Sequence, residues 1–273
     1  MAGMIQAIRK EAAAKKVNIQ THQQQKVYDT LNELYRLPPA EGPEIEFESN
    51  LFTRGTGQDR SGLHTSAIIA GDKHYCVREQ VLSLLYKPRD MNKHFELSTL
   101  RIFEEGNYIH RKWQRLFLRG ELCEPINLDQ TQNNEYYMLS FSPDAFIWIG
   151  GKKCIVEIKS MNEHIYKRTL NHSSAENQLL MYMFLSNTRH GIVLMENKNT
   201  QEFKVTLHDL VKEEERIAPF IQRLEDVRGC YESKTMPEKR EDCKTKLSRR
   251  CLDCPMSDAC WATPKERQAM RLA

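Results

Sequence analysis

Apolar residues recur at helical spacing near the start of the chain. Ile5, Ile8 and Ala12 form one stripe and Val27, Leu31, Leu34 and Tyr35 another, so residues 1–36 are expected to be helical. Pro38-Pro39, Pro43 and scattered glycines and charges break the pattern, and residues 37–64 read as a loop or linker. A second unit begins at Thr65. Beyond Asp72 the positions Val77, Val81, Leu84 and Leu85 predict a helix with Cys76 in its first turn. The next helix is expected over 98–119, capped by Ser98. It carries Leu100, Phe103, Trp113 and Phe117 on one face, with His110 among them, one turn after Gly106. Residues 121–129 read as a strand leading to two better-marked ones at 145–149 and 154–158. A polar stretch with His164, Tyr166, Lys167, Arg168, His172 and Ser173 follows and reads as a loop over the site or as a wet connection. Residues 174–186 are helical and largely apolar, residues 192–195 and 203–207 are strands, and 209–228 is an amphipathic helix burying Leu210, Ile217, Phe220 and Leu224. Residues 231–250 are polar and basic with no core pattern, and read as a crossing segment. Strands alternating with helices place the chain in the α/β class.

The pair of strands at 145–149 and 154–158 carries the first chemistry. Gly150-Gly151 between them is a two-residue hairpin signal. With those glycines at the centre of the turn, residue numbers of cross-strand partners sum to 301, and Asp144 lies opposite Glu157. A sum of 303 would set Asp144 opposite Lys159 instead. In either register Asp144, Glu157 and Lys159 share one face. Two carboxylates about 5 Å apart repel by about 3 kcal/mol at an effective dielectric of about 20. One must be protonated, or a cation must sit between them. Paired oxygen ligands suit Mg²⁺ or Mn²⁺, and Lys159 points at the same spot, where it could hold a water or a phosphate oxygen. The bland reading of the same residues is a salt bridge at a strand end.

The chain has 273 residues, 40% hydrophobic and 28% charged, the balance of an ordinary globular protein. Its net charge of +3 permits nucleic-acid binding without arguing for it. No apolar run reaches membrane-spanning length, and no secretory apolar core stands at the start, so a cytoplasmic protein without a membrane partner is expected. Eight cysteines without an export signal then favour metal binding over disulfides. Three of them, Cys251, Cys254 and Cys260, fall within ten residues as Cys-x₂-Cys-x₅-Cys. A fourth ligand is needed: Cys243 would complete a local zinc site, whereas Cys76 would tie the tail to the start of the core. Spacing leaves both open. Cys123, Cys154 and Cys230 read as packing residues.

Other polar positions have two readings each. A histidine on an apolar stripe is more often a hydrogen-bonded core residue than a ligand, but Gly106 beside His110 suggests that room is needed there. Gln178 and Tyr182 stand four apart on one helix face and require partners, whether substrate or neighbouring helices. Arg111, Lys112, Arg115 and Arg119 could meet phosphates or simply face water.

The order of these features resembles the RecB-like PD-(D/E)xK nucleases, in particular the iron–sulfur CRISPR-associated and phage-encoded exonuclease type. The matching residues are Cys76 with Arg78, His110 in Gly-Asn-Tyr-Ile-His, Asp144 in Ser-Pro-Asp, Glu157-Ile-Lys159, Gln178-x₃-Tyr182 and the tail cysteines, from about Ser66 to Trp261. Pro143 stands where glycine is common in that family. The resemblance implies a restriction-endonuclease-like core with a mixed central sheet flanked by helices. It divides the chain into a helical accessory and linker (1–60), the nuclease core (61–235) and a cysteine-rich cluster-binding segment packing back on Cys76 (236–273). It implies that His110, Asp144, Glu157 and the Ile158 carbonyl bind Mg²⁺ or Mn²⁺, that Lys159 positions or activates the attacking water, and that Gln178 and Tyr182 support the site and contact DNA. It also implies a four-iron, four-sulfide cluster on Cys76, Cys251, Cys254 and Cys260, leaving Cys243 without a role. The expected function is a metal-dependent deoxyribonuclease acting as an exonuclease, with endonuclease action a further option. Its substrates would be single-stranded DNA or duplex ends, and a recombination or replication protein its partner. The alternatives are a non-catalytic DNA-end-binding module and a zinc-tailed nucleic-acid-binding protein.

Overall fold

The computed structural model describes residues 21–37, 62–89, 96–169 and 172–271. In chain order its elements are α1 (21–33), β1 (Leu63–His64), α2 (Thr65–Ile68), α3 (Val77–Leu85), α4 (Leu97–Arg119), β2 (Gln132–Asn134), β3 (Leu139–Phe141), β4 (Ala145–Ile149) and β5 (Lys152–Met161). There follow α5 (Glu163–Arg168), α6 (Ser173–Leu185), β6 (His190–Asn197), β7 (Phe203–Asp209), α7 (Glu214–Glu232) and three short tail helices, α8 (Arg249–Asp253), α9 (Ser257–Trp261) and α10 (Pro264–Ala269). The fold is α/β, with two sheets flanked by helices. The larger has the order β4-β5-β6-β7 and is mixed: β5 and β6 are parallel, and the two outer pairings are antiparallel. The smaller has the order β1-β3-β2.

The hairpin β4–β5 turns where its sequence dictates. Gly150 and Gly151 both have positive φ, 58° and 73°, which a two-residue turn matched to the strand twist requires. Pairs such as Ala145↔Val156 and Ile149↔Lys152 follow the register whose numbers sum to 301. β5 and β6 are buried on both faces over most of their length, as the centre of a covered sheet must be. On one face Ile155 and Val193 pack against Leu179 of α6, with α3 and α7 behind. On the other, Val156, Ile158, Ile192 and Leu194 pack against Trp113 and Phe117 of α4. Leu31 of α1 is fully buried in this second layer, and Tyr28 stacks on Phe203 at 4.6 Å. α6 is buried nearly all round, which explains its lack of a polar face.

The tail docks on α3 by two means. Met256 and Ala259 pack with Leu82 and Tyr86. Guanidinium groups then cross between the segments: Arg89 to the carbonyls of Cys251 and Leu252, Arg240 to those of Asp72 and Tyr75, and Arg250 to those of Lys73 and His74. No helix among the described residues is long and apolar enough to cross a membrane.

Several expectations need correction. Residues 121–129 form no strand. Pro125–Asn127 is a 3-10 turn, and only Leu128 bridges to Ala145. Pro125 lacks the N–H that a ladder needs there. The N-cap of α4 is Glu96, one residue before the helix, and Ser98 lies inside its first turn. Phe103 is 41% exposed rather than packed beside Trp113 and Phe117, because the first turns of α4 run beyond the sheet. Cys76 is the N-cap of α3 and not in its first turn. Residues 63–64, expected in the linker, pair with β3. The polar stretch after Lys159 is not a loop: β5 continues to Met161, and α5 follows. The amphipathic helix begins at Glu214, after a 3-10 turn at Leu210–Lys212. Lys112 and Arg119 bind internal partners, the Glu196 carboxylate and the Leu34 carbonyl. The stripe Ile5–Ile8–Ala12 and residues 38–61 lie outside the described residues.

The closeness of α6 to β6 depends on Gly191. A Cβ there would stand 2.5 Å from Met183 Sδ and 2.9 Å from Leu179 Cδ2, both in side chains with no exposed surface. Gly191→Ala is expected to destabilise the protein by about 1–3 kcal/mol, through overpacking. Urea denaturation measures this, and an unchanged midpoint would show that α6 can move away freely.

Candidate active site

The site lies where the β4–β5 ladder stops. β4 begins at Ala145, opposite Val156, whereas β5 runs on to Met161 paired with β6 alone. Pro143 cannot donate to a ladder, so the pairing ends there. Asp144 fills the gap with its side chain: Oδ2 accepts the Ile158 N–H at 2.7 Å. Odd-numbered residues of β5 point to the α6 face. Glu157 therefore projects beside Asp144, and Lys159 follows on the same side. Lys159 Nζ lies 2.6 Å from Glu157 Oε1 and donates to Gln178 Oε1 at 3.4 Å. Gln178 Nε2 in turn donates to the Tyr182 hydroxyl at 2.7 Å, one turn on along α6. From α4, His110 Nδ1 approaches Asp144 Oδ1 to 3.1 Å. The structure thus brings together His110, Asp144, Glu157, Ile158, Lys159, Gln178 and Tyr182.

Charge explains the contacts. Glu157 is 2% exposed, and burial first, then the Asp144 charge, push its pKa up to about 7, against the pull of Lys159. Burial alone would lower the pKa of Lys159, but Glu157 outweighs it and holds the ammonium above its ordinary value. Burial likewise opposes charge on His110, yet the Asp144 carboxylate beside it outweighs burial and raises its pKa above the ordinary imidazole value. Each of the two carboxyl groups thus has a basic side chain of the protein against it, His110 at Asp144 and Lys159 at Glu157.

Among the described residues, no set of three or more His, Cys, Asp or Glu side chains is gathered in a metal-holding arrangement. The donor types nonetheless suit a hard divalent ion: two carboxylates, an imidazole and a main-chain oxygen. The Ile158 N–H is turned to Asp144. In an extended strand a residue's N–H and C=O project to the same side, so the Ile158 carbonyl faces the same unpaired edge.

One residue of the site escaped the reading of the sequence. Gln114 is 5% exposed, and its Nε2 donates to the Asp144 carbonyl at 2.9 Å, one turn after His110. The signal was present: an amide between Trp113 and Phe117 on a buried face has to find a partner. Gly106 does not make room for the imidazole. A Cβ there would meet Ser160 Oγ at 3.5 Å, an ordinary contact.

A second cluster lies at the tail. Five of the eight cysteines, Cys76, Cys243, Cys251, Cys254 and Cys260, line one cavity of about 350 Å³, its open mouth included. Cys123, Cys154 and Cys230 lie in the two core layers. Cys243 is within hydrogen-bonding reach of Cys251 and, at 3.8 Å, of Asp242 Oδ1. Both candidate fourth ligands therefore reach the same space. Arg78 donates from Nε to Cys260 Sγ at 3.2 Å, and Lys239, Arg240 and Arg250 also line the wall. Burial pushes the Cys254 thiol up to about 12. Glu79 lines the same wall, its carboxyl within hydrogen-bonding reach of Cys254; five thiols and four cations against that one carboxyl suit an anionic tetrathiolate centre, whose binding would displace thiol protons.

The Glu157 carboxyl has a measurable consequence. With its folded pKa near 7 against an ordinary 4.5, it favours the fold most while protonated, below about pH 4.5, and that contribution is lost as pH rises through about 7. Glu157→Gln stays neutral throughout. The Tm of the variant minus that of wild type is expected to grow between about pH 5 and about pH 8. A constant difference would place the Glu157 pKa at its ordinary value.

No family model and no curated protein matches the chain. Solved structures do resemble it distantly. SSO0001 is 13% identical, with a TM-score of 0.40 over 72% of this chain and 87% of that one. LHK-Exo in complex with dAMP is 12% identical, with a TM-score of 0.41 over 64% and 93%. The alkaline exonuclease LHK-Exo from Laribacter hongkongensis is 11% identical, with a TM-score of 0.41 over 68% and 96%. Likeness at this level carries no functional argument, so the functional reading rests on the geometry of the site.

Proposed function

We propose that this chain is a divalent-metal-dependent deoxyribonuclease with a restriction-endonuclease-like PD-(D/E)xK core. It would act as an exonuclease on single-stranded DNA or duplex ends, in recombination, replication or phage DNA processing. The observation that carries the reading is the acidic pair at the open edge of β5, with Lys159 Nζ 2.6 Å from Glu157 and His110 3.1 Å from Asp144. The resemblance in motif order to iron–sulfur RecB-like nucleases supports it, and extends it to a four-iron cluster on Cys76, Cys251, Cys254 and Cys260.

Asp144, Glu157, the Ile158 carbonyl and His110 would hold Mg²⁺ or Mn²⁺. Such an ion supplies charge stabilisation for the scissile phosphate and lowers the pKa of water. The chain's own groups do the rest. The Ile158 N–H and Gln114 keep Asp144 from turning away. Lys159 stays cationic, so it holds the attacking water or a phosphate oxygen by charge rather than by taking a proton. Gln178, itself held by Tyr182, limits the arc through which the ammonium can swing. Hydrolysis would leave a 5′-phosphate and a 3′-hydroxyl.

One observation favours a non-catalytic DNA-end-binding module instead: the two ion pairs satisfy each other within the protein. Labelled single-stranded DNA with Mg²⁺ or Mn²⁺ separates the readings. Cleavage is expected, falling at least about 10²-fold in Glu157→Ala and in Lys159→Ala. Variants cleaving as fast as wild type would refute the nuclease, and tight DNA binding without cleavage across several metals would favour the module.

A further inference from the structure

The thiol cavity holds a polar group left without a partner among the described residues. Ser257 is 1% exposed and lines the cavity. Its N–H donates to the Cys254 carbonyl at 3.2 Å, which fixes the residue between two of the tail cysteines. Its hydroxyl has no hydrogen-bond partner among the described residues. A buried hydroxyl left unpaired costs stability. One that borders a space walled by thiols finds its acceptor when sulfur fills that space.

We infer that Ser257 is a hydrogen-bond donor to a centre bound in the cavity and tunes how strongly and at what potential that centre is held. The inference rests on the cluster reading above. Sulfur of an iron–sulfur cluster, whether thiolate or inorganic sulfide, is the acceptor chemistry the cavity offers. Donation to it draws off charge and favours the reduced state, so the hydroxyl raises the reduction potential. Arg78, which already donates to Cys260 Sγ, acts in the same sense from the opposite segment. The serine is distinctive because its contribution differs in sign between the two states of the protein. Without a centre the hydroxyl is a liability, and with one it is a bond.

Ser257→Ala tests this, with wild type purified alongside without oxygen. In metal-free protein the variant is expected to melt at the same temperature as wild type or higher. In iron-loaded protein it is expected to show a lower midpoint in a potentiometric titration, and to lose iron to a chelator about tenfold faster. A metal-free variant that melts below wild type would overturn the inference, because the hydroxyl would then have a partner in the protein. Iron-replete variant with unchanged midpoint and unchanged iron loss would overturn it as well. Wild type devoid of iron and sulfide would overturn the cluster reading itself, and this role with it.

Discussion

Two carboxylates, Asp144 and Glu157, are set side by side by the register of one hairpin, and the surrounding elements make that arrangement tolerable. A buried acid without a partner would cost more stability than most single contacts can return. Lys159 cannot leave Glu157 cheaply, and Gln178 of α6 keeps it in place. His110 and Gln114 come from α4, on the other face of the sheet, and reach Asp144 because β4 ends before its neighbour does. The early end of β4 is thus a requirement of the site: an edge strand continuing past Pro143 would cover the very backbone groups that Asp144 now engages.

This centre was legible in the chain because its signals are local and discrete. A glycine pair fixes a turn, the turn fixes a register, and strand parity places three side chains on one face. What was misread depends on where elements end relative to the core. Phe103 has the right period to join Trp113 and Phe117, but period cannot tell that the sheet stops before the first turns of α4 begin. Gln114 carries no motif that marks it in the sequence. Only the opposite layer shows that it faces a main-chain oxygen. The strand expected over 121–129 failed on backbone chemistry instead, through Pro125.

The tail illustrates a different limit. Residues 231–250 show no core pattern in the sequence, because apolar spacing is the main guide to packing and the tail has little of it. Its hold on α3 comes instead from guanidinium groups bonded to main-chain carbonyls, plus a small apolar contact at Met256 and Ala259. Arginine is suited to this work: its planar fork can serve two carbonyls at once, as Arg250 does with Lys73 and His74 through its two terminal nitrogens. The thiols are brought around one cavity by these bonds, so a centre bound there would add to an existing attachment rather than create it.

The two clusters are joined through α3. Leu82 packs against the tail, and the adjacent Val81 packs into the main core with Leu63 and Leu139. The Gly62 N–H donates to the Ser83 carbonyl at 3.3 Å, which ties the start of β1 to the same helix. β1 pairs with β3 through Leu63↔Leu139 and His64↔Ser140, and β3 ends three residues before Asp144. α3 therefore has one face set by the tail and another that sets the strand delivering the first carboxylate. The cysteine segment is thus connected to the acidic pair by contiguous contacts through α3, β1 and β3.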